Sequence, residues 1–171
     1  MIRKICLLCA ILLLSACAGN DGRGLQPGIA QIDEVVAQMG PPALRWKDTD
    51  GSQQLAFPRG PQGVHTFMAF FGPDQRLIRL ENVLDTRHFA QIRPDKHDQN
   101  DILRLLGPPN PAWTVFFKAR NELVWEWLFC DDWNQLARFD VLFDASTGIV
   151  RTTYQRPDLR GPMAIAPVCS R

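Results

Sequence analysis

The feature that most narrows the fold is a stretch the chain writes twice. "QPGIAQIDEVVAQMGPPALRW" begins at Gln26, and "RPDKHDQNDILRLLGPPNPAW" begins at Arg93. A shift of 67 positions aligns them without a gap. Pro27 meets Pro94, Val35 meets Ile102, Val36 meets Leu103, Met39 meets Leu106 and Trp46 meets Trp113. Gly40-Pro41-Pro42 meets Gly107-Pro108-Pro109. In the first copy Ile29, Ile32, Val35, Val36 and Met39 recur at spacings of three and four, the signature of one buried helix face. A glycine then takes the position that closes a helix with φ > 0, and two prolines lack the N–H groups needed to continue it. In the second copy Asp98 and Asp101 have the spacing of an N-cap and an acidic residue in the first turn. The chain is therefore read as one structural unit used twice.

The segments after each helix alternate as strands do. In the first unit "QQLAFP" leads through "RGPQG" to "VHTFMAFFG" and "RLIRLENVL", the last two joined by a Gly-Pro-Asp turn. The second unit continues with "ELVWEWLFC", "ARFDVLFD" and "IVRTTYQ". Phe71 meets Phe143 and Ile78-Arg79 meets Val150-Arg151, so the shift grows from 67 to 72 across the loops. Leu123, Trp125, Trp127 and Phe129 share one face of their strand, and Phe139, Val141 and Phe143 share one face of the next. These aromatics are assigned to a core beneath the helices. The expected fold is α+β: two tandem units of a helix and three or four antiparallel strands, the helices on one face of the sheet. Edge-to-edge joining of the two sheets would hide one unpaired edge of each.

The first residues belong to export. Arg3 and Lys4 precede the apolar run "ICLLCAILLLSA", which is shorter than the roughly 20 residues a spanning helix needs. It ends in "LSAC", which resembles the lipobox of bacterial lipoproteins. That resemblance implies cleavage before Cys17 and acylation of its thiol and new amino group, hence a membrane anchor. Ala18 stands where an Asp would imply inner-membrane retention, so the resemblance points to the outer membrane. The expected division is a signal peptide over 1–16, a flexible tether over 17–25, units over 26–85 and 86–157, and a tail over 158–171. Beyond the anchor two cysteines remain, Cys130 and Cys169. An even pair in an oxidising compartment suggests a disulfide, the alternative being two unrelated thiols.

Catalytic patterns do not emerge. Ser52, Ser146 and Ser170 sit in no nucleophile elbow, and His65, His88 and His97 have no metal-ligand spacing. His65 is placed on a strand, His88 in the linker between the units and His97 just before the helix of the second unit, and each is read as solvated or structural. No phosphate loop appears, and a formal charge of +1 with no basic stripe excludes an electrostatic nucleic-acid binder. Losing Arg3 and Lys4 leaves 17 basic against 18 acidic residues. No cofactor and no enzymatic activity are expected. Two loops are candidate partner contacts: "FPRGPQG" through Arg59, and "CDDW" through Asp131 and Asp132, where a hairpin loop or a weak cation site are the alternatives.

A helix ending in Gly-Pro-Pro, followed by aromatic strands behind a lipobox, resembles the SmpA/OmlA (BamE-like) lipoproteins. Two such units in tandem resemble the beta-lactamase-inhibitor-protein fold. The BamE-like pattern places a Gly ahead of the helix; Gly28 stands there in the first unit and Asp95 in the second. The resemblance implies a non-enzymatic outer-membrane lipoprotein on the periplasmic side. Its implied role is structural, accessory to barrel-assembly proteins. The alternative is an inhibitor or ligand-binding module that uses the duplicated sheet as a concave surface. That alternative predicts an exposed aromatic patch on the sheet, and burial of Trp125, Trp127 and Phe139 under the helices would weaken it.

Overall fold

The computed structural model describes residues 21–59, 63–159 and 169. It is an α+β fold with two four-stranded antiparallel sheets. Helix α1 (Ile32–Met39) precedes strands β1 (Leu44–Lys47), β2 (Gln53–Pro58), β3 (Thr66–Phe71) and β4 (Leu77–Asn82). A short helix α2 (Thr86–Phe89) leads to α3 (Gln99–Leu106) and strands β5 (Val115–Phe117), β6 (Glu122–Cys130), β7 (Leu136–Asp144) and β8 (Val150–Pro157). The strand orders are β1-β2-β3-β4 and β5-β6-β7-β8.

The two units repeat down to single backbone bonds. Helices α1 and α3 begin and end at matched positions, and Gly40 and Gly107 donate to Val36 and Leu103, each at 2.9 Å. Their conformations agree as well: φ 82° and ψ −176° at Gly40, φ 76° and ψ −173° at Gly107. Ahead of the helix, Gly28 N donates to Leu77 O at 2.7 Å and Asp95 N to Val150 O at 2.8 Å. Asp95 reaches the left-handed region (φ 61°) that Gly28 occupies at 81°, and Asp is among the few side chains that tolerate it. The anticipated cap is present: Asp98 and Asp101 form a reciprocal capping box, whereas Gln31 makes no side-chain cap.

Each helix buries its apolar stripe on its own sheet. Ile32, Val35 and Met39 pack with Leu55, Phe57, Ala69, Phe71 and Leu77. Ile102 and Leu106 pack with Trp127, Phe129, Phe139, Val141 and Phe143, the assigned aromatic core. Ile29 stays out of that core, 63% exposed, because the helix starts three residues later. Both sheets carry a bulge before the last pair, Phe71↔Leu77 and Phe143↔Val150. The true shift in the final strand is therefore 73, and Val150 matches buried Leu77 rather than exposed Ile78. The second hairpin holds one more residue than the first.

Four other expectations are corrected. The sheets do not join edge to edge; each ladder is separate among the described residues. Instead the end of α3 lies on the back of the first sheet, beside Ala56, Met68 and Val83, an apolar face that edge pairing would have left wet. Arg104 binds both oxygens of Asp48 (2.7 and 3.2 Å), and Gln54 donates to the Arg104 carbonyl. Second, residues 21–25 are not tether. Gly22 is buried, Leu25 packs on the first core, and Gln38 Nε2 donates to Arg23 O at 2.7 Å. Third, the stretch around His88 is no linker. Asp85 caps α2, and Phe89 stacks on Phe139 (3.8 Å between centroids) in the second core, joined by Leu84. Fourth, His65 lies just before β3 rather than on it.

Candidate functional site

Strand register, not sequence proximity, assembles a dense polar group on the second sheet. On the face of the second sheet away from α3, Glu126 of β6 stands opposite Asp140 of β7, and Asp140 opposite Tyr154 of β8. One step along, Arg138 pairs in register with Arg156. Both guanidinium groups reach Glu126, and Arg138 Nε also binds Asp158 Oδ1 at 2.8 Å. Arg156 Nε binds Asp140 Oδ2 at 2.8 Å. Arg138 lies over the Trp113 ring, 4.8 Å from its centroid. Asp140 Oδ1 is buried and meets no donor among the described residues. The carboxyl facing it can supply one only when protonated. Burial pushes the Glu126 carboxyl up to about 7; Arg138 opposes the rise, Asp140 adds to it, and Arg156 opposes it.

Around this group runs a shallow apolar groove of about 290 Å³. Val115 and Phe117 of the edge strand β5, and Tyr154 of β8, line it and are 42%, 39% and 56% exposed. An apolar rim thus surrounds polar side chains that bind one another. Nothing in it forms a nucleophile and base. The opposite face carries the aromatics weighed for a ligand surface, and there Trp127 and Phe139 are each 3% exposed under the helix. Trp127 Nε1 donates to Pro108 O at 3.1 Å, so the second Gly-Pro-Pro supplies the partner for the buried indole.

The residues singled out from sequence fall elsewhere. Arg59 is not an exposed basic tip. It turns inward, its Nη1 donating to Met39 O at 3.1 Å at the end of α1, with its guanidinium 5.5 Å from the Phe67 ring centroid. Its Nε and Nη2 are buried with no partner among the described residues, and burial lowers its pKa. The remainder of that loop, 60–62, lies outside the described residues. Asp131 Oδ1 accepts from Trp133 N (2.9 Å) and Gln135 N (2.8 Å), so it shapes the β6–β7 turn. Asp132 accepts from Thr86 Oγ1 at 3.2 Å. Among the described residues no group of three His, Cys, Asp or Glu side chains could hold a metal ion. Cys130 and Cys169 are bonded, with their Cα atoms 5.7 Å apart, and Asn134 Nδ2 donates to Cys169 O. Cys17 lies outside the described residues.

His88 is structural. Its Nδ1 lies 2.7 Å from Asp85 Oδ1 and its Nε2 3.9 Å from Glu81 Oε1, so carboxylates occupy both ends of the ring. It borders an open cleft of about 890 Å³ between the units, with Arg79, Arg93 and Arg104. Arg79 and Arg104 there already bind Glu81 and Asp48. Alternation along β6 and β7 marks Glu126, Arg138 and Asp140 as outward-facing, which in a lone strand reads as solvated. Only the register that places them side by side makes them a buried network. No protein-family model matches the chain, and no match was found among curated proteins or solved structures.

Proposed function

We propose that this chain is a non-enzymatic lipoprotein on the periplasmic side of the outer membrane, with a structural, accessory role in barrel assembly or envelope integrity. The observation that carries the reading is the Cys130–Cys169 bond downstream of "LSAC". A bonded pair suits an oxidising compartment, and the leader ends in the sequence that would anchor the chain there. The folded part supports an adaptor rather than a catalyst. Two interlocked units hold a rigid surface around Val115, Phe117 and Tyr154, and the outward-facing charges near it bind one another.

The same groove favours a second reading, a periplasmic protein-binding or inhibitor module. In that reading the contact is made by the back of the second sheet, because the helix covers Trp127 and Phe139 on the other side.

The anchor is tested by mass spectrometry of the N-terminal peptide and by fractionation. Acyl chains on Cys17 and recovery with the outer membrane are expected, and Cys17→Ser should release the protein to the soluble fraction. Crosslinking in cells from Val115, Phe117 and Tyr154 should capture barrel-assembly proteins. Capture of none of these, together with an unaltered response to large antibiotics on deletion, refutes the accessory role.

A further inference from the structure

We propose that the exposed edge of the first unit, strand β4 with the segment before α1, rests on the lipid bilayer and presents Ile29 and Ile78 to it. The inference rests on the lipid-anchored reading above and adds the orientation of the body. The folded body begins much closer to Cys17 than a tether over 17–25 would place it. Gly22 packs so tightly on β4 that a Cβ there would fall 2.2 Å from Leu80 Cδ2. Only three residues separate Cys17 from Asp21. Even fully extended, that stretch spans no more than about 14 Å. A body on so short a tether touches the surface its anchor enters.

The point of entry selects the edge. Leu80, beside Gly22, lies two residues along β4 from Ile78, a step of about 7 Å. Ile29 joins the same edge through the short ladder before α1, where Gly28 N donates to Leu77 O and Leu77 N to Ala30 O. Ile29 and Ile78 are 63% and 55% exposed, the large apolar side chains of the first unit most open to solvent. Of the charges near them, Arg76 pairs with Asp74 and Arg23 with Asp21, and the first turn of α1 adds the carboxylates of Asp33 and Glu34 rather than a basic group. Contact therefore depends on apolar insertion beside the anchor and not on anionic headgroups.

The test places a fluorescent thiol probe at Ile29→Cys, Ile78→Cys or Trp133→Cys in the exported, full mature protein. With Cys17 acylated and Cys130 bonded to Cys169, the introduced thiol is the reactive one. The protein is reconstituted in phosphatidylethanolamine–phosphatidylglycerol vesicles with brominated acyl chains, and quenching is read against unbrominated vesicles. Trp133 is the stringent control. It is more exposed than either isoleucine, at 84%, but its hairpin is tied to Thr86, beyond the opposite end of β4. Strong quenching at 29 and 78 without quenching at 133, unchanged as phosphatidylglycerol is lowered, is expected. Acylated protein with 29 and 78 unquenched, or with 133 the quenched position, overturns the orientation and leaves the anchor standing. A mass showing no acyl chain on Cys17 overturns both.

Discussion

Gly40→Ala and Gly107→Ala form a matched pair that separates a helix stop from a contact between units. Both glycines hold the same backbone conformation, with φ near +80° and ψ near 180°, a region essentially restricted to Gly. Alanine at either position should therefore cost about 1–3 kcal/mol in strain. The surroundings differ. A Cβ on Gly40 meets nothing within 4 Å, whereas one on Gly107 falls 2.7 Å from Thr66 Cγ2 and 3.6 Å from Ala56 Cβ. Thr66 is 2% exposed and anchored in β3, so it has nowhere to retreat. Overpacking of that kind adds about 1–3 kcal/mol. Equilibrium urea unfolding should show the midpoint of Gly107→Ala falling further than that of Gly40→Ala by this margin, with similar slopes. Thr66→Ser removes the opposing methyl and should recover part of the loss in Gly107→Ala and none in Gly40→Ala. Equal costs at the two glycines, or no selective recovery, would refute the claim that α3 presses its end into the back of the first sheet.

Replacing Cys130 and Cys169 together by Ser releases a link between residues 39 apart in sequence and should cost at most about 4 kcal/mol, read by urea unfolding without reductant. Phe89→Ala removes a ring stacked on Phe139 and set edge-on to Phe129 at 4.8 Å; a loss of about 3–5 kcal/mol is expected, although the residue precedes α3. Little change there would return α2 to the status of a linker. Glu126 should act against the usual carboxylate trend. Its pKa is raised from 4.5 in the open chain to about 7 in the fold, so the folded state binds the extra proton. Its contribution is complete below pH 4.5 and is lost as pH rises through about 7, so Glu126→Gln should flatten the fall in stability across that window. A wild-type and variant difference that does not vary with pH would exclude the shift.

Local features were legible because local physics produces them. The stops at Gly40 and Gly107 and the Asp98–Asp101 box depend on backbone groups a few residues away. The buried faces of β6 and β7 follow from alternation alone. Arg59 failed as an exposed contact because nothing in "FPRGPQG" says where Met39 O lies. The shift of 73 was hidden because the added residue sits in a turn, while the bulges place Val150, not Arg151, on the core. The groove was not legible because Glu126, Asp140 and Arg156 are spread over 31 residues and meet only through register.

The sequence by itself thus determined that there are two copies of one α+β unit, where α1 and α3 end, and which aromatics are core. Those properties reside in short-range propensity, alternation and repetition. Only the tertiary structure decided that the sheets stay separate, that α3 meets the back of the first sheet, and that the back of the second sheet carries the exposed groove. Such choices compare whole faces, and their free energy comes from pairs such as Arg104 with Asp48 or Gly107 with Thr66, which no local window contains together.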